Sequence, residues 1–136
     1  MKGLRVLDAN ILLRFLTNDL PDQAERCAQL LKRAEANREQ VLLPDLVLAD
    51  VVWTLEKFYR QPKARIRDFM TAIVNLRGLR LSSKKIAREA LRLYAEENLD
   101  WTDAFVAAQM LSRRQTEIYS FDKDFDRVPG VLRLEP

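Results

Sequence analysis

The chain contains no histidine. Without imidazole, the Ser-His-Asp and Cys-His arrangements, the histidine pair of metal-free ribonucleases and the usual zinc-protease sites cannot be built from this chain alone. Any hydrolysis must run on carboxylates, which favour hard, oxygen-loving cations such as Mg²⁺ or Mn²⁺. A single cysteine, Cys27, excludes an internal disulfide and any multi-cysteine metal site, and its helical setting marks it as a small core residue. Only three glycines accompany 48% hydrophobic residues, which excludes low complexity and favours a helix-rich globule. No apolar run approaches the roughly 20 residues that span a bilayer. Met1-Lys2-Gly3-Leu4-Arg5 leads straight into a strand pattern without a signal peptide, so a cytoplasmic protein is expected.

What is present fits one domain over residues 1–136, able to bury roughly 68–70% of its unfolded surface around a single core. Leu4, Val6 and Leu7 read as a buried strand, and Ile11, Leu12, Phe15 and Leu16 switch to helical spacing across Asp8 and Asn10. Pro21 to Ala36 reads as a second helix with an apolar face through Ala24, Cys27, Leu31 and Ala34. A strand from Gln40 to Leu43 stops at Pro44, and Asp45 is placed to cap a helix from Leu46 to Tyr59. The helical pattern resumes after Pro62 to about Leu76 and breaks at Gly78. Leu79 to Leu81 is a third strand, Ser82 or Ser83 opens a fifth helix, and Trp101 to about Arg114 is a sixth. Glu117 to Ser120 and Val131 to Leu134 complete five strands. Strands alternating with helices predict an α/β fold whose parallel sheet is covered on both faces.

Four acids stand where chemistry is more informative than solvation. Asp8 lies at the carboxyl end of a strand, the edge where open parallel sheets bind ligands, although capping the next helix would also account for it. Asp50 has Leu46 and Val47 one turn before it and Trp53 and Thr54 one turn after, so it lies in or beside an apolar stripe. It must be matched by a cation, or the helix must be turned to bring it to solvent. Glu56, beside Lys57, reads as an exposed charge. Asp103 falls three residues after Asp100, where an acid suits the helix dipole or a capping box, yet Val106, Ala107 and Met110 share its face. Ser120 and Asp122 end the fourth strand at the same edge as Asp8, while Asp124 and Asp126 read as solvated turn acids. Carboxylates converging on one cleft repel, which raises pKa values or draws in divalent ions. Such ions lower the pKa of bound water and stabilise phosphoryl charge. Glycoside hydrolysis by a carboxylate pair would need aromatic sugar platforms that this chain hardly supplies.

Val6-Leu-Asp-Ala-Asn-Ile-Leu12, Leu48-Ala-Asp-Val-Val-Trp-Thr-Leu-Glu-Lys-Phe-Tyr59, Asp100-Trp-Thr-Asp-Ala-Phe-Val-Ala-Ala108 and Tyr119-Ser-Phe-Asp-Lys-Asp-Phe125 occur in an order and spacing that resemble PIN-domain ribonucleases. Within that family the resemblance is to the VapC toxins of toxin-antitoxin pairs, and it covers nearly the whole chain. It implies a three-layer α/β/α sandwich with a five-stranded parallel sheet. It also implies a Mg²⁺-dependent endoribonuclease cutting structured RNA such as tRNA or rRNA, with Mn²⁺ as a substitute. Asp8, Asp103 and Asp122 would be metal or water-positioning acids, and Asn10 and Ser120 their polar supports. Asp50 occupies a position where the family usually carries glutamate. The shorter side chain retracts the carboxylate by roughly one bond length, which near-ideal octahedral geometry tolerates poorly.

The resemblance further implies a homodimer and a small antitoxin whose C-terminal segment grips helix surfaces around Trp53, Phe58 and Tyr59. Core packing is the competing explanation for those aromatics, and it fits Phe58 better than Trp53. The formal net charge of +3 rises to +7 once the four candidate acids are set aside, which favours phosphate. Arg14, the group Arg60, Lys63, Arg65 and Arg67, and Arg113 with Arg114 are candidate RNA contacts, although alternating charges on helices are most often solvated faces. Two other readings stand beside the nuclease. One is a PIN-like fold with weak or lost catalysis that serves as a partner-binding module. The other is a phosphate-handling domain built on Asp8, disfavoured because Asn10 stands where a second acid is wanted.

Overall fold

The computed structural model describes residues 3–136; Met1 and Lys2, the start of the stretch read above as lacking a signal peptide, lie outside the described residues. The chain divides into two compact units, Met1–Lys84 and Lys85–Pro136.

In the first unit, β1 (Arg5–Val6), β2 (Val41–Leu42) and β3 (Leu79–Arg80) form a parallel sheet in that order. The register pairs Arg5 with Val41 and Val41 with Leu79. Parallel neighbours require long crossovers. Here α1 (Ala9–Thr17) and α2 (Pro21–Glu35) connect β1 to β2, and α3 (Asp45–Lys57) and α4 (Lys63–Val74) connect β2 to β3. Pro21 starts α2 because its missing N–H falls where a helix leaves its donors unpaired anyway. The core gathers Leu12, Leu31, Val41, Leu43, Val51, Val52, Leu55, Ile66 and Met70, all nearly or fully buried. Burial of each such side chain contributes roughly 1.5–3 kcal/mol. The cysteine is buried and free, as its helical setting implied.

Two local expectations are corrected in this unit, and a third gains a physical cause. The first strand is not buried throughout, because successive residues of a strand point to opposite faces. Leu7 is 3% exposed while Val6 is 60% exposed. Asp45 does not cap α3. Pro44 occupies the cap position, and the Asp45 carboxylate instead accepts hydrogen bonds from the Ser82 hydroxyl, 2.8 Å to each oxygen. Ser82 is thus engaged, and Ser83 is the serine that directly precedes the fifth helix. Gly78 does more than break α4. A Cβ there would lie 2.1 Å from the Glu39 carbonyl oxygen and 2.8 Å from that of Ala34, so only glycine lets β3 enter the sheet this closely.

In the second unit, α5 (Lys84–Glu96, beginning one residue before the division) and α6 (Trp101–Ser112) precede β4 (Glu117–Tyr119), a 3₁₀ helix (Lys123–Arg127) and β5 (Leu132–Leu134). The two strands pair in parallel, Glu117 with Leu132 and Tyr119 with Leu134. Hydrogen bonding therefore joins the five strands as a parallel three-stranded sheet and a parallel pair, where a single five-stranded ladder was expected. The 3₁₀ helix has no apolar periodicity to announce it. Phe125 alone is buried within it. The core of this unit is Leu91, Leu93, Tyr94, Leu99, Trp101 and Ala107, with the Tyr94 and Trp101 rings meeting edge to face at 5.8 Å.

Candidate carboxylate site

Asp8 stands at the N-cap position of α1 in extended conformation, with φ −87° and ψ 157°, yet its side chain makes no capping hydrogen bond. Its exposed carboxylate is held at the end of β1 because Leu7 extends the ladder, its N–H donating to the Leu42 carbonyl at 2.8 Å. Capping therefore does not account for this acid. Asn10 follows in the first turn and lines a groove of about 260 Å³ with Ile11, Arg14, Gln23, Arg26 and Cys27. The Arg14 guanidinium is already engaged there, donating to Gln23 at 3.0 Å and lying 3.6 Å from the Asp19 carboxylate.

Asp50 is exposed on α3, opposite the buried residues Leu48, Ala49, Val51, Val52 and Leu55. The apolar residues flanking it, Leu46 at 75% and Trp53 at 41% exposure, are not the core stripe. The helix is thus rotated so that the acid reaches solvent, which removes the desolvation cost that burial would impose. Thr54 Oγ1 donates to its Oδ1 at 3.4 Å. Glu56 is half-buried rather than exposed and pairs with Lys57 at 2.7 Å. Phe58, which core packing seemed to fit, is 75% exposed, and its ring meets Tyr59 edge to face. It lies one residue past the end of α3, where the buried face of that helix no longer sets the direction of side chains.

The second unit holds a tighter arrangement. Asp100 occupies the N-cap position of α6 without a side-chain cap bond, and Asp103 stands half-buried in the first turn. Its carboxyl shares a hydrogen bond with that of Asp122 and is pushed up to about 6, first by desolvation, then by that bond, and then by the charges of Asp122, Asp100 and Asp124. Asp122 is fixed in turn: its Oδ1 accepts from the Asp124 N–H at 2.9 Å, and its own N–H donates to Ser120 Oγ at 2.9 Å. Ser120 thus supports Asp122. Asp124 and Asp126 are not merely solvated, because Asp124 pairs with Arg127 at 2.9 Å and Asp126 with Arg133 at 3.1 Å.

The Asp103 carboxyl keeps its proton up to about pH 6, first because of burial and then because of the acids beside it, and above that it adds its own negative charge to theirs. Oxygen donors of this kind match the chemistry of a hard divalent cation, so the pair fits such an ion as two of its ligands. Among the described residues, no group of three or more acids is gathered closely enough to hold a metal by itself. Reading the sequence missed the part played by Asp100 and Asp124 in the field around Asp103. The signal was present in the spacings Asp100-x-x-Asp103 and Asp122-x-Asp124, which bring acids to one helix start and one tight turn.

The expected cationic contacts differ in availability. The Arg65 guanidinium lies 5.1 Å over the Phe69 ring and remains exposed, whereas Arg67 pairs with Asp68 at 3.1 Å. Arg113 is the exposed C-cap residue of α6.

A family model described as "PIN domain" matches residues 5–131. A VapC ribonuclease of Aquifex aeolicus (strain VF5) is 23% identical over 133 residues, covering 98% of this chain and 97% of that protein. The family match spans β1 to β4, α1 to α6 and all four candidate acids, and stops just before β5. The α/β class with a three-layer α/β/α arrangement is that of the matched family. Among the described residues, no helix is long and apolar enough to cross a membrane.

Proposed function

The chain belongs to the PIN domain family, and from that premise we propose that it is a VapC-like toxin, a metal-dependent endoribonuclease acting on structured RNA such as tRNA or rRNA. The observation that carries the reading is the Asp103–Asp122 pair, a carboxyl held near 6 by burial and by other acids, inside the family match. Strongly perturbed acids mark functional sites more often than structural ones. Residues 1–136 act in this reading as one domain.

In this reading Asp8, Asp103 and Asp122 would be the ligands of Mg²⁺, or of Mn²⁺ in its place, and Asp50 would be the fourth carboxylate of the reaction. When bound, the ion supplies a water of lowered pKa and charge stabilisation for a phosphoryl group. The chain's own contribution is orientation. The Asp124 N–H holds the Asp122 carboxylate and Ser120 Oγ accepts from the Asp122 backbone N–H, so less side-chain freedom remains to be lost on binding. Burial keeps Asp103 poorly hydrated and hence disposed to accept a cation. Asn10 is a polar support beside Asp8. Arg65 and Arg113 contact RNA phosphates, and Arg14 contributes charge from its fixed position against Gln23.

The partners in this reading are RNA, a small antitoxin and a second copy of the chain, in the cytoplasm. Exposure of Trp53 and Phe58 supports the antitoxin surface around α3, because large apolar side chains left in water on one helix end mark interaction sites. The test is cleavage of a structured RNA by purified chain, free of any partner, with and without EDTA. Cleavage in Mg²⁺ that is lost in EDTA is expected. Cleavage indifferent to EDTA would overturn the metal, and no cleavage of tRNA or rRNA in either ion would favour a PIN fold kept for partner binding.

A further inference from the structure

Outside the candidate site, the second unit carries a groove of about 450 Å³ between α5 and α6. Its floor is apolar. Ala108 is buried and too small to fill the space, and Ile86 and Leu111 remain half-buried beside it. The rim carries the cations Lys85, Arg88 and Arg92 against one acid, Glu89. Lys85, Arg88 and Arg92 recur at helical spacing on α5, so they line one side of the groove over about 10 Å of helix axis. Glu89 does not offset them freely, because the Arg92 guanidinium clamps it together with Glu96. Lys85 and Arg88 are both exposed, and the side of the rim they form is positive.

An apolar floor with a cationic rim selects its occupant. A polynucleotide would lay phosphates along the rim but leave the floor wet, and no aromatic ring lines the groove to stack a base. A helical protein segment satisfies both parts, with two apolar side chains one turn apart entering the hollow over Ala108 and glutamates or aspartates beside them meeting Lys85 and Arg88. From this charge and shape we infer that the α5–α6 groove docks an acidic amphipathic helix of a partner protein. This surface is distinct from the α3 aromatics and independent of whether the chain cleaves RNA.

The test uses the full chain as bait for a displayed library of random peptides, with counter-selection on the charge-reversed variant Lys85→Glu/Arg88→Glu. Enriched peptides should carry leucine, isoleucine or methionine at three- or four-residue spacing flanked by acids. A synthetic copy should bind the parent at least tenfold more tightly than the charge-reversed variant, whose thermal melting and RNA cleavage remain those of the parent. Ala108→Leu, checked for folding by circular dichroism, should also weaken the peptide by filling the hollow. The inference is overturned if no peptide survives counter-selection, if the enriched peptides lack acids, or if either variant binds as the parent does. It is equally overturned if tRNA displaces the peptide and loses affinity itself on charge reversal, since the groove would then belong to nucleic acid.

Discussion

Asp103 and Asp122 share a hydrogen bond, sit among further acids and are partly withdrawn from water. Asp8 and Asp50 are exposed, the first at a helix start without a capping bond and the second accepting from the Thr54 hydroxyl at 3.4 Å. All four lie in the family match, yet the fold treats the two pairs differently. The pair in the second unit stores electrostatic repulsion that a cation would relieve. The acids of the first unit cost the fold little and offer charge without strain. Affinity for a metal should therefore depend mainly on Asp103 and Asp122, and Asp8 and Asp50 should count mainly in turnover.

The largest expected effect tests whether both pairs serve one reaction. Asp8→Asn and Asp122→Asn should each reduce RNA cleavage by at least a hundredfold, because each removes a charge the proposed metal chemistry requires. Circular dichroism should be unchanged in both. If Asp8→Asn cleaves like the parent while Asp122→Asn is dead, Asp8 has no part in catalysis and the first unit is left with Asp50 as its candidate acid.

Metal binding should separate the pairs. At ten times its dissociation constant, a divalent ion that binds only the folded chain adds about 1.4 kcal/mol, a melting shift of a few degrees. In calorimetric melting with millimolar Mg²⁺ or Mn²⁺, most of that shift should vanish in Asp103→Asn and Asp122→Asn and be partly retained in Asp50→Asn. No shift in the parent chain would remove the metal site altogether.

A smaller effect concerns pH in the absence of metal. The Asp103 carboxyl, at about 6 in the folded chain against an ordinary 3.8, holds its proton more tightly when folded than when unfolded. Its contribution to stability is thus fully present below about pH 4 and is lost as pH rises through 6. In EDTA, Asp103→Asn should accordingly melt increasingly above the parent as pH climbs from 4 to 6, with the difference constant beyond 7. A difference independent of pH would mean that neither burial nor the neighbouring acids raise the Asp103 carboxyl.

Much of the fold was legible because it rests on periodicity. The switch from strand to helix across Asp8, the proline starting α2 and the break at Gly78 are local signals, and the elements lie within one or two residues of where those signals put them. Orientation was less legible. The residues around Asp50 read as an apolar stripe because Leu46, Val47 and Trp53 surround it at helical spacing. The helix instead buries the face through Leu48, Val52 and Leu55, and periodicity alone does not choose between two apolar faces. The same ambiguity put Phe58 in the core, where it is 75% exposed. The acids of the site were legible as residue types, but the Asp103–Asp122 hydrogen bond joins residues 19 positions apart on different elements. No local pattern encodes that distance.

The finest test bears on Asp50, where the family position usually carries glutamate. An exposed carboxylate on a helix has room to lengthen, so Asp50→Glu should meet no steric barrier, and glutamate is the better helix former by a few tenths of a kcal/mol. If Asp50 serves the reaction through a bridging water, the added methylene restores direct reach, and cleavage should hold or rise severalfold. Asp50→Ala, which keeps the helix but removes the charge, should lose most activity with little change in melting temperature. The assay is cleavage by the three proteins at matched Mg²⁺, repeated in Mn²⁺, whose coordination is more forgiving of a retracted ligand. Equal rates in all three would assign Asp50 to the solvated surface and leave the first unit with Asp8 alone. A severe loss in Asp50→Glu would show a site already fitted to the shorter acid, and would move Asp50 from the unstrained side of the comparison to the side where geometry is exacting.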